Sequence, residues 1–222
     1  MVYFTKEFND FFKDLSRNNK VEWFHANKER YVEYVKCPFE EFVAEMISRM
    51  QKEDPDIKIL PKEAIFRINR DLRFSKDKKP YKEWVSAVIS KTGKKDKSYP
   101  GIYFHIGTKG LMLGGGMHRL ERDTLEKVRK YIQKNNAEFT KLTEDKKFKN
   151  MFGELKGEKN KVLPEEFRKD AETQPYLFNK AFYFIAEYKD PKIILRPDLI
   201  DFMIGHYKVG KNLSNYLKKA VH

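Results

Sequence analysis

The hydrophobic period of this chain changes twice, and that limits the folds open to it. Phe8, Phe11, Phe12 and Leu15 fall at the i, i+3, i+4, i+7 spacing of one helix face, with Thr5 placed as N-cap. A second helix is expected from about residue 21 to 35, burying Trp23, Phe24, Tyr31 and Val35. Pro38 suits the first turn of a third, whose face carries Phe39, Phe42, Val43, Met46, Ile47 and Met50 and which ends before Asp54-Pro55. Through the middle of the chain the period shortens to two: AIFRINR, WVSAVIS and GIYFHIG alternate as strands do, and GLMLG is a shorter candidate. After the glycines at 114–116 helical spacing returns with Leu125, Val128 and Ile132, then Phe139 and Leu142. AFYFIAEY predicts a last strand and Pro197 opens a terminal helix. Helices, strands, then helices predict one α+β domain over residues 1–222, with a largely antiparallel sheet because the gaps between strands are too short for crossovers.

Charge is concentrated within this pattern. The formal net charge is +13. Residues 1–60 hold 10 Lys/Arg against 12 Asp/Glu, whereas residues 61–110 hold 13 against 5. A local excess of that size attracts phosphates, nucleic acid or an acidic partner. Its centre is FRINRDLRFSKDKKPYK, residues 66–82, with three arginines, four lysines and two aspartates. On a strand, Phe66 and Ile68 face the helices while Arg67 and Asn69 take the other side. Arg70 and Arg73 then fall near the strand end. Guanidinium forks suit carboxylate and phosphate oxygens, so Arg67, Arg70 and Arg73 form a candidate anion clamp, with Lys76 and Lys82 beside it. Asp71 would orient an arginine or act as a base. An ion-pair network that merely holds the loop is the competing reading.

Two further features join the candidate site. Gly114, Gly115 and Gly116 let a ligand approach the backbone and offer N–H donors, or else serve a bend. In GIYFHIG, Ile102, Phe104 and Ile106 share one face, which leaves Tyr103 and His105 on the open one beside Arg67 and Asn69. His105 is thus the second candidate proton-transfer group. An exposed Tyr103 or Tyr99 would also suit base stacking.

Other chemistries find no support. GxxxxGK[ST], GxGxxG and GxSxG are absent, as are HExxH and Cys/His metal spacings, so neither a metal nor a cofactor is expected. Cys37, the single cysteine, is expected to be buried or inert. There is no apolar run of about 18 residues, the length a membrane span needs, and the acidic N-terminus is unlike a secretory signal, so the cytoplasm is expected.

VEWFHANKERY, IFRINRDLRFSKDKKPYK, GIYFHIG, LMLGGGM and FGELKGEKNK occur in this order. Together they resemble a widespread family of bacterial and fungal proteins catalogued as a domain of unknown function. The resemblance spans nearly the whole chain and implies a single domain of this length, without supplying an activity. It draws attention to Trp23, Asn27 and Tyr31, which match its first motif. Asn27 is expected to bond to a loop or to the site. Where the family often has an aromatic residue after the glycines, Met117-His118 stands here. Three functions follow from the sequence: binding of a phosphorylated or carboxylated small molecule, with or without catalysis; binding of nucleic acid on the basic sheet face; or a protein-interaction domain with a structural Arg/Asp network.

Overall fold

The computed structural model describes residues 1–96 and 99–221. Lys97 and Ser98, in the basic loop expected between two strands, and His222 lie outside the described residues. Helices α1 (Lys6–Arg17), α2 (Val21–Ala26), α3 (Lys28–Tyr31), α4 (Cys37–Glu53) and the single turn α5 (Pro61–Ala64) come first. Strands β1 (Trp84–Ile89), β2 (Gly101–Gly107) and β3 (Gly110–Met117) follow. Then come α6 (Arg122–Lys134), α7 (Asn136–Thr143), α8 (Lys146–Phe152), α9 (Glu165–Arg168), β4 (Phe182–Tyr188) and α10 (Leu199–Lys219). The strands hydrogen-bond in the order β1-β2-β3-β4, a meander in sequence order, and the class is α+β. No helix among the described residues is long and apolar enough to cross a membrane.

The chain divides into two compact units. The first comprises Met1–Lys94, Tyr103–Leu113 and Glu187–Ile204. Its core is aromatic: Phe8, Phe11, Phe12 and Leu15 of α1 are fully buried, as the helical spacing requires. On α4, Phe39 and Phe42 meet Phe104 edge-on at 6.0 and 5.9 Å. Each such ring contributes about 1.5–3 kcal/mol of burial. The expected second helix is broken. It kinks at Asn27 and continues through a π-turn, Val32–Lys36, into α4. Only Val35 in that stretch is fully buried, while Trp23, Phe24 and Tyr31 are half-buried around Phe11. Pro38 lacks the N–H that a continuous helix would use there, and the wide π-turn lies directly before it. Cys37 beside it is exposed, not buried.

The second unit comprises Lys95–Ile102, Gly114–Ala186 and Gly205–His222. Phe139, Tyr131 and Tyr216 form one ring cluster, and Phe148, Phe152 and Phe184 another. Asp145 caps α8 by accepting a hydrogen bond from the Phe148 N–H at 2.9 Å. Residues 153–180 are irregular, as expected. They are tied down by bridges Lys156↔Tyr183 and Lys159↔Asn179, and by Gln174, whose buried amide donates to Asn136 Oδ1 at 2.6 Å.

Candidate functional site

Residues 66–82 do not begin with a regular strand. Bridges Ile65↔Ala87 and Asn69↔Tyr81 are antiparallel, but four steps on one side face six on the other. The surplus residues bulge the pairing, and a bulge re-aims side chains. Ile68 is buried as expected. Phe66 is not turned to the helices: its ring lies 6.2 Å from Tyr103, on the side where Arg67 and Asn69 were placed. Asn19 pins the far end, donating to the Tyr81 carbonyl at 3.0 Å and accepting from its N–H at 3.1 Å.

The loop itself is held by its own charges. Arg70 donates to Asp77 Oδ2 at 2.6 Å and to Ser75 Oγ at 3.2 Å, and Ser75 Oγ donates to the Asp77 carbonyl at 2.8 Å. Arg73 grips Asp71 with two bonds, at 3.0 and 2.7 Å. Those bonds push the Asp71 carboxyl down to about 2. At neutral pH so acidic a group is a weak general base. Arg67 and Lys76 are exposed, and Lys82 Nζ donates to the Arg67 carbonyl at 2.7 Å while lying 5.8 Å from the Phe66 ring centroid. The structure therefore brings Lys82, Phe66 and Tyr103 together beside the Arg67 carbonyl, whereas Arg70 and Arg73 each face an aspartate of the same loop.

Tyr103 and His105 do share a face, with Tyr103 Oη 3.4 Å from His105 Nδ1. Trp84 joins them, its ring 5.4 Å from the imidazole. Burial is the main cause lowering the His105 pKa, with Glu187 opposing and Lys109 assisting. Asn27 is occupied locally: its Nδ2 donates to the Trp23 carbonyl and its Oδ1 accepts from Arg30 at 2.9 Å. Tyr99 is buried at 8% exposure and presents no face for stacking.

Gly114, Gly115 and Gly116 lie within β3 rather than between a strand and a helix. A Cβ on Gly114 would sit 2.2 Å from the Phe184 carbonyl oxygen, and one on Gly116 2.2 Å from that of Phe182. Gly116 also has φ +95°. Close approach of β4 explains the run without a ligand.

The second unit contains a feature the sequence did not single out. A pocket of about 580 Å³ is lined by Leu120, by Arg122, Leu125, Glu126 and Arg129 of α6, by Asn160, Val162, Leu163 and Pro164, by Phe167 of α9, and by Lys180. Arg129 is only 4% exposed. Its Nη2 donates to the Asn179 carbonyl at 3.1 Å, and its guanidinium carbon lies 6.0 Å from the Phe167 ring centroid. Its Nε has no partner, nor does the buried Oδ1 of Asn179. Among the described residues no carboxylate forms an ion pair with Arg129. Glu126, the acid in the lining, is paired with Lys130 at 2.6 Å. Burial alone lowers the Arg129 pKa, with nothing opposing it. Buried charges are ordinarily paired, so this one calls for an explanation. The sequence does carry a sign of it: Leu125, Val128, Arg129 and Ile132 occupy one helix face, and Arg129 stands where an apolar residue would.

Among the described residues no three or more His, Cys, Asp or Glu side chains gather as metal ligands do. The fold and its two basic regions define an α+β protein with an arginine-lined pocket. By sequence the chain belongs to the conserved hypothetical protein family DUF2461, which matches residues 7–216. No curated protein and no solved structure matches it.

Proposed function

We propose that the protein binds a phosphorylated or carboxylated small molecule, and that its seat is the Arg129 pocket rather than residues 66–82. The observation that carries this is an arginine 4% exposed, without a carboxylate partner, in the wall of a cavity of about 580 Å³. That volume lies in the range of small-molecule sites, about 300–1,000 Å³. Arg122 and Lys180 add positive charge, although Lys180 already pairs with Glu158 at 3.0 Å. Leu120, Leu125, Leu163 and Phe167 supply the apolar walls that bury a ligand body. An anion beside Arg129 would satisfy the guanidinium with charge-assisted bonds. The lining has no Ser, Thr, Cys, His or Tyr, and its one carboxylate is paired, so binding is favoured over catalysis.

Isothermal titration with phenyl phosphate and benzoate tests the reading. Saturable binding is expected in the wild type and its loss in Arg129→Met, with the circular dichroism spectrum unchanged. Silence from every phosphate and carboxylate tried, or equal binding by the variant, would overturn it.

A further inference from the structure

Phe74 is 95% exposed, a costly place for an aromatic ring, and the loop that carries it is not slack. The Arg70–Asp77–Ser75 bonds and the Asp71–Arg73 pair fix the backbone on both sides of it. Arg73 lies 5.9 Å from the Phe74 ring centroid. Within the same unit, Trp84, 36% exposed, shares a sheet face with His105, Tyr103 and Phe66. Flat rings are thus offered in two places by one unit, with cations among them.

The charge pattern is selective. Asp71, Asp77 and Glu83 are engaged by Arg73, Arg70 and Lys79 respectively. The carboxylates of residues 71–83 are therefore paired within the segment, which leaves the exposed cations Arg67, Lys76 and Lys78, the last donating to the Leu72 carbonyl at 3.2 Å. An extended polyanion whose faces are also aromatic fits that combination. We infer that the first unit binds single-stranded nucleic acid, with bases stacking on Phe74 and on Trp84 and phosphates meeting Arg67, Lys76 and Lys78.

Two features favour this occupant over others. An anionic membrane would match the cations, but one phenyl ring at the loop tip is little apolar area to insert. A duplex would match the cations equally, but hides the base faces that exposed rings would stack on.

The inference is independent of the Arg129 pocket and is tested apart from it. Fluorescence anisotropy would compare labelled oligo(U) and oligo(dT), each about 12 nucleotides long, with a duplex of the same length. Tighter binding of the single strands is expected. Phe74→Ala and Trp84→Ala should each weaken it by about 5- to 150-fold, and Phe74→Trp should restore it. Phe74 touches little, so its variants should fold normally. Removing Lys76 and Lys78 together should flatten the log–log salt dependence by about 1.4. Arg129→Met should bind like the wild type. Duplex bound as tightly as single strand, or an unchanged affinity in Phe74→Ala, would reduce the effect to surface charge and overturn the inference. Loss of anionic vesicle binding in Phe74→Ala, with no oligonucleotide binding in either protein, would overturn it in favour of a membrane.

Discussion

An arginine buried for a ligand should destabilise the protein that lacks the ligand, and Arg129→Met exposes that conflict. Burying a charge without its partner costs about 3–5 kcal/mol. Against this stands the Nη2 bond to the Asn179 carbonyl at 3.1 Å. A hydrogen bond from a charged group contributes about 1.5–3 kcal/mol. Methionine removes both, and its thioether can keep a contact with Phe167. The difference leaves the ligand-free variant more stable by about 1–2 kcal/mol. In a chain of this length that raises Tm by about 2–8 °C, since each kcal/mol moves it about 2–4 °C. A bound anion reverses the order. At 100 times Kd the wild type gains about 2.7 kcal/mol and the variant nothing, so the two melting curves should exchange places. Differential scanning calorimetry with and without ligand reads both. A Tm several degrees lower in the ligand-free variant would refute the reasoning, because Arg129 would then be a structural keystone.

Three other outcomes follow from the geometry. Arg70→Ala removes the bonds to Asp77 and Ser75, and since the side chain is partly screened by solvent its loss should cost about 1 kcal/mol, seen as a lower Tm without loss of anion binding at the Arg129 pocket. Gly116→Ala combines a left-handed backbone with a clash on the Phe182 carbonyl, and should destabilise the protein by about 3 kcal/mol in urea titrations. Burial depresses the His105 pKa, so the folded protein binds a proton there less readily than the unfolded chain; its contribution to stability should be complete above the unfolded value of about 6.5 and lost as pH falls through the folded one. His105→Phe should flatten that acid limb, and an imidazole that titrates above 6.5 by NMR would contradict the sign.

The helices were readable because their apolar residues keep the 3.6 period over several turns: the α1 and α4 faces are the ones the spacing names. Period-two segments became β1, β2 and β4 for the same reason. AIFRINR failed because alternation describes a straight ladder, while its partner strand carries extra residues that turn Phe66 over. The π-turn at Val32–Lys36 left no mark, since one wide turn does not alter which residues are apolar. The glycine run was visible, but its cause was not: the nearness of Phe182 and Phe184 is a tertiary fact. Charge density pointed to one candidate region and passed over another. It identified residues 66–82, where each aspartate lies close enough to engage an arginine. Arg129 stands on the apolar face of α6, but what buries it, Phe167 and the carbonyl of Asn179, is distant in sequence.

Crystals soaked in selenate would show whether the Arg129 pocket holds an anion, because selenium can be located by its anomalous scattering. A peak is expected in the pocket beside the Arg129 guanidinium, within about 3 Å of a nitrogen, and none in Arg129→Met crystals. Selenate found only on exposed lysines, with the wild-type pocket bare, would contradict that expectation.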